Sequence, residues 1–171
     1  MKRGFVVLFL MAWAALASAQ APAAGSSPMV PPATLSMDGK AVLQVTMPAG
    51  AKATSVNGFL KITTTNLQLY VWFVPNTKTV AEALPHAAEI IKSEFVKFQP
   101  AATNEVQIAG TPAKDLTGPG EEADDNDPGN AETIFFAAGG RVFAACVHGE
   151  GEEAKPEHAP MMAVLNTAKA P

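Results

Sequence analysis

Carboxylates are the most closely gathered side chains with chemical potential in this sequence. Glu121, Glu122, Asp124, Asp125 and Asp127 fall in one short stretch, and Glu150, Glu152 and Glu153 lead to Glu157 in another; together they are nine of the 16 Asp and Glu residues. Such oxygens suit a hard cation, since Ca²⁺ takes about 6–8 oxygen ligands. The spacing does not make a dedicated calcium loop: the run from Asp125 to Asn130 lacks the glycine at the sixth position and the glutamate at the twelfth that an EF-hand requires. Charge in this pattern fits a solvated rim that aids solubility, a surface for a partner with a basic face, or a weak Ca²⁺ site. No dedicated metal site and no other cofactor is expected.

Cys146 and His148 are two apart in a strand-like run, so their side chains leave the same face. A thiolate and imidazole so placed are the reactive pair that a thiol enzyme would use. No third orienting group is identifiable, and a lone cysteine among apolar residues reads as a small buried hydrophobe. No catalytic residue is therefore assigned. Serine chemistry lacks support as well: there is no G-x-S-x-G, and no phosphate-binding glycine loop. His86 and His158 read as surface histidines. Tyr70 and Trp72 share a strand face and are expected under a helix rather than against a ligand.

The chain that must position these groups has 171 residues, 48% of them apolar and 16% charged, which suits one domain with one core. Its basic residues are few and scattered, and the net charge is −4. Nucleic-acid binding, which needs a clustered cationic face, is excluded on that ground. Lys2 and Arg3, an apolar run over residues 5–16 and the small residues before Gln20 read as a secretory signal peptide, residues 1–19, cleaved near Ala19/Gln20. Export to a bacterial periplasm or beyond is expected, without membrane insertion, because that apolar run is shorter than the ~20 residues a spanning helix needs. Cleavage would leave 10 cations against 16 anions. With one cysteine, no intrachain disulfide can form. Residues 20–36 are Pro-, Ala- and Ser-rich and read as a flexible leader, and 37–171 as a single globular domain.

Within that domain, strands are expected over 41–47, 59–64 and 67–74, the last two joined by a tight turn at Thr65-Asn66. Leu69, Val71 and Phe73 alternate with Gln68, Tyr70 and Trp72, so the two faces of that strand meet different surroundings. Thr79 and Glu82 form a capping box, opening a helix carried to Phe98 and kinked at Pro85. Short strands at 105–108 and 113–117 flank a turn at Gly110-Thr111-Pro112, and a long polar loop is expected before Thr133. Gly139-Gly140 is a two-residue hairpin turn between strands over 133–138 and 141–148. Those strands are apolar on both faces and should be central and covered on both sides. A closing helix over 157–168 carries Met161, Met162, Leu165 and Ala168 on one stripe. Because the last hairpin is antiparallel, the segments before and after it, which hold the two acidic groups, must be neighbours.

With these elements in place the chain resembles the PsbP-like group, which extends to related bacterial exported proteins and to the small Ran-binding nuclear-transport factor of the same fold. The resemblance rests on SEFVKF (93–98), IAGTPAKDL (108–116), FFAAGGRVFAACVHG (135–149) and VLNTAKA (164–170), and spans residues 41–170. It implies an α+β fold: a largely antiparallel six- to seven-stranded sheet with a helix on each face, an α/β/α sandwich. It also implies a non-enzymatic binding or accessory role with an unknown protein partner.

Overall fold

The computed structural model describes residues 31–64, 68–149 and 158–171; the expected signal peptide, the Thr65-Asn66 turn and Glu150, Glu152, Glu153 and Glu157 lie outside the described residues. The chain forms β1 (Ala33–Met37), β2 (Lys40–Val45), β3 (Lys52–Val56), β4 (Phe59–Thr63) and β5 (Gln68–Phe73). A helical crossover follows, α1 (Val80–Ala83), a 3₁₀ turn (Leu84–His86) and α2 (Ala87–Ile91). Then come β6 (Phe95–Val96), β7 (Ala102–Ile108), β8 (Thr111–Glu122), β9 (Pro128–Ala138), β10 (Arg141–Gly149) and α3 (His158–Leu165).

The main sheet has eight strands in the order β3-β4-β5-β10-β9-β8-β6, with β7 also on the outer edge of β8, and every pairing is antiparallel. The fold is thus α+β, as expected. β10 sits in the middle, and Val142 through Cys146 are all fully buried, as a strand covered on both faces requires. Its hairpin turn places Gly139 at φ 56° and Gly140 at φ 73°, the double left-handed conformation of a type I′ turn.

Period-two alternation divides the core. On one face Ile62, Leu69, Val71, Ile134, Phe136, Phe143 and Ala145 pack beneath the β1–β2 hairpin and α3, which contributes Met161, Val164 and Leu165. Phe136 and Phe143 oppose each other across β9–β10 with stacked rings 5.6 Å apart. On the other face Tyr70, Trp72, Phe135, Val142, Ala144 and Cys146 pack beneath the crossover helices, Phe95 and Phe98. Each large apolar side chain so buried contributes about 1.5–3 kcal/mol.

The crossover begins as its sequence dictates. Thr79 is extended and its Oγ1 accepts from Glu82 N at 3.3 Å, while the Glu82 carboxylate accepts from Lys78 N at 2.8 Å, one residue before the partner a capping box supplies. Pro85 turns the next segment into a 3₁₀ turn; Ala83 and Ala87, which flank it four residues apart, are buried, while His86 and Ala88 are exposed.

Four expectations are corrected. The helix ends at Ile91, not Phe98: SEFVKF forms a turn, the short strand β6 and Lys97 at φ 54°. The 108–111 turn is Ala109-Gly110, both at positive φ, with Thr111 and Pro112 already in β8. The long polar loop is mostly strand, since β8 runs to Glu122 and β9 starts at Pro128. Finally, β1 lies partly in the stretch read as leader: Leu35 is fully buried and Ser36 accepts from Gly58 N at 2.7 Å.

Candidate functional site

The β8–β9 hairpin carries the first acidic group. Glu121 and Glu122 are therefore strand residues rather than loop residues, and pair in register with Val96 and Phe95. The turn is tied internally: Glu122 N donates to the Asp127 carbonyl at 2.9 Å, Asn126 N to the Glu122 carbonyl at 3.0 Å, and Asp127 N to Asp125 Oδ1 at 2.9 Å. Asn126 takes φ 63°, which asparagine tolerates. Lys97 pairs with Glu121 at 2.6 Å on the surface.

Beneath the turn lies a glycine window. Gly120 and Gly129 oppose each other across β8–β9, and the buried Phe95 ring lies over them: a Cβ on Gly120 would come 2.2 Å from Phe95 Cε1. Ala123 N donates to the Glu94 carbonyl at 3.1 Å. Phe95 thus fixes the turn and, through the chain before it, Ser93 and Glu94.

These segments wall a cleft of about 220 Å³. β4 and β5 supply Lys61, Gln68 and Tyr70; the connection after α2 supplies Ser93 and Glu94; the end of β8 supplies Glu122, with Ala123 and Asp124 beyond it. Phe59, Tyr70 and Trp72 form a three-ring cluster, with Tyr70 6.1 Å from Phe59 and 5.9 Å from Trp72 and Phe59 5.5 Å from Trp72, and Lys61 Nζ lies 4.9 Å over the Tyr70 ring. The Tyr70 hydroxyl donates to Gln68 Oε1 at 2.8 Å. Burial raises the Tyr70 phenol well above its ordinary range, and the Glu94 carboxylate pushes it the same way. The phenol stays protonated.

Glu122, Asp124 and Asp125 bring carboxylate oxygens within 4.8 Å of one another, and Asp124 and Asp125 are exposed. Asp127 is exposed beside them. Residue 149 pairs with Asn130, so the chain leaves β10 next to this turn, as the antiparallel hairpin requires; Glu150, Glu152 and Glu153 themselves lie outside the described residues.

Cys146 is fully buried opposite Thr133. Loss of solvent pushes its thiol up to about 12, the Thr133 side chain opposes that, and Glu94 and Glu132 add to it. Almost no thiolate exists at neutral pH. His148 continues β10, and its side chain lies outside the described part.

Sequence reasoning missed Lys61, Gln68, Ser93 and Glu94 as site residues. Gln68 and Tyr70 did share a face in the alternation of β5. Glu94 was hidden by the helical period assigned to its segment.

Among solved structures, the cyanobacterial PsbP protein CyanoP of Synechocystis sp. PCC 6803 is similar over 75% of this chain and 86% of its own, at 9% identity and TM-score 0.51. LpqN, involved in cell envelope biogenesis of Mycobacterium tuberculosis, aligns over 86% of this chain and 88% of its own, at 12% identity and TM-score 0.45. Protein PA94 of Pseudomonas aeruginosa aligns over 68% and 83%, at 13% identity and TM-score 0.42. No protein-family model and no curated protein matches the sequence. Among the described residues no helix is long and apolar enough to cross a membrane. What the likeness shows is the fold, and that fold is PsbP-like.

Proposed function

We propose that this protein is an exported, non-catalytic accessory module that docks a partner protein with a basic surface through the β8–β9 end of its sheet. The observation that carries the reading is the acidic turn itself. Asp124, Asp125 and Asp127 stand exposed on a hairpin whose backbone is held by its own hydrogen bonds and by Phe95. A fixed patch of one sign steers an oppositely charged partner and fixes register. The buried, protonated thiol of Cys146 supports a binding role over a thiol enzyme. The PsbP-like fold agrees with an accessory role by analogy of fold alone.

The test is photo-crosslinking in the native host from a reactive group at Asp125, compared with one at Thr54 on the edge strand β3. A discrete crosslinked partner from position 125 only, lost on Asp124→Asn plus Asp127→Asn, is expected. Crosslinks from both positions alike, or none sensitive to the acidic residues, would overturn the reading. A second reading, a weak divalent-cation site, draws on the proximity of Glu122, Asp124 and Asp125.

A further inference from the structure

The cleft beside the acidic turn differs from the turn in chemistry. Its floor is the buried Tyr70, one wall bears Glu94, another bears Glu122 and Asp124, and Lys61 stands among them. A single metal ion does not fit this description. The volume, about 220 Å³, is several times the ~30 Å³ that one water occupies, and a lysine ammonium already stands in the cleft. The position of that ammonium is informative in another way. Lys61 Nζ sits 4.9 Å over the Tyr70 ring, so the aromatic face already takes an organic cation.

Resting on the docking reading above, we infer that this cleft receives the side chain of an arginine presented by the partner. A guanidinium is planar, carries five donors in a fixed fork, and sheds water more readily than an ammonium. It can stack on an aromatic face while donating to carboxylates on two walls, here Glu94 and Asp124. Lys61 is then the internal cation that an incoming arginine displaces from the Tyr70 ring. Its removal should help binding, although it is a residue of the site.

The experiment is a titration of the full ¹⁵N-labelled chain with N-acetyl-arginine amide, followed by amide shifts. N-acetyl-citrulline amide serves as the neutral isostere, and CaCl₂ as the ionic control. Arginine should give saturable shifts centred on Ser93, Glu94, Ala123 and Asp124. Citrulline should bind at least tenfold more weakly, and so should arginine to Glu94→Gln. Lys61→Gln should bind arginine at least twofold more tightly. Amides remote from the cleft report in each variant that the fold is intact. Equal binding of citrulline, unchanged affinity in Glu94→Gln, or saturation of these amides by Ca²⁺ but not by arginine would overturn the inference. If arginine fails while the crosslink from position 125 persists, the cleft chemistry is wrong and the docking reading stands. If arginine binds and the crosslink is absent, the reverse holds.

Discussion

Gly120→Ala should destabilise the protein by about 1–3 kcal/mol, the range for forcing a methyl into a packed site, whereas Gly129→Ala, directly across the hairpin, should be neutral or stabilising. Both absent Cβ atoms would face the Phe95 ring, and the two glycines differ in how close that atom would come to it. At Gly120 it would meet Phe95 Cε1 at 2.2 Å and the Val96 carbonyl at 2.9 Å; at Gly129 its nearest neighbour is Phe95 Cε2 at 3.6 Å, an ordinary contact. Phe95 cannot swing aside, because its ring is fully buried against Phe98 and the crossover helices. At position 129, where φ is not positive, alanine reduces the freedom of the unfolded chain, worth about 0.4–1 kcal/mol. Urea titrations of both variants check this. Combining Gly120→Ala with Phe95→Ala should shrink the cost of the glycine substitution to the part set by the Val96 carbonyl. Similar losses at 120 and 129 would show that the ring does not lie over the window as described.

The second large effect is alkaline. The folded Cys146 thiol is held at about 12 against an ordinary 9.0, so below pH 9 it is protonated in both states and contributes no pH dependence. Above pH 9 the unfolded chain releases the proton and the folded chain keeps it. Stability therefore falls as pH rises, by about 1.4 kcal/mol per pH unit until the folded thiol also titrates. Near pH 10.5 the loss relative to pH 8 is about 2 kcal/mol. Tyr70, also raised, adds a loss of the same sign at higher pH. Cys146→Ala carries a pH-independent packing cost and removes the thiol's share. The variant should thus lie below the parent near pH 8 and draw level with it or pass it near pH 10.5, by urea denaturation. A constant gap between the two at both pH values would show that the thiol titrates freely in the fold. Iodoacetamide should accordingly label the native thiol only as fast as the core opens.

Much of this architecture is legible in the sequence because local and long-range demands agree there. Gly139-Gly140 leaves few options but a type I′ hairpin, and strands apolar on both faces can only be central. The alternation in β5 separates Leu69 and Val71 from Tyr70 and Trp72, and these do enter two different layers. The β8–β9 end was illegible for the opposite reason. Glycines at 118, 120 and 129 and a proline at 119 read as loop, yet all four lie in strands. Pro119 is tolerated because its missing N–H falls on the outer edge of β8, in the gap between β7 and β6, where its carbonyl accepts from Gln99 N at 3.0 Å. Gly120 is there for Phe95 and Gly118 for the backbone at Gln99, contacts that no local pattern announces. Phe95 and Phe98 fit a helical period equally well, so the sequence carries the helix past Ile91 and gives no sign that Glu94 joins the carboxylates of the turn. β3, exposed along its whole length, carried no apolar alternation to find.

The most direct test of the acidic end as a docking surface for organic cations, and not a metal cage, is a pair of thermal melts in CaCl₂ and in NaCl at matched ionic strength. Screening relieves repulsion among Glu122, Asp124, Asp125 and Asp127 whichever salt supplies it. A specifically bound ion adds RT ln(1 + [L]/Kd), about 2.7 kcal/mol at 100 times Kd, which is several degrees of melting shift in a domain of this size. Equal shifts in the two salts are expected. A larger shift in Ca²⁺, abolished by Asp124→Asn plus Asp125→Asn, would contradict the docking reading and make this turn a calcium site.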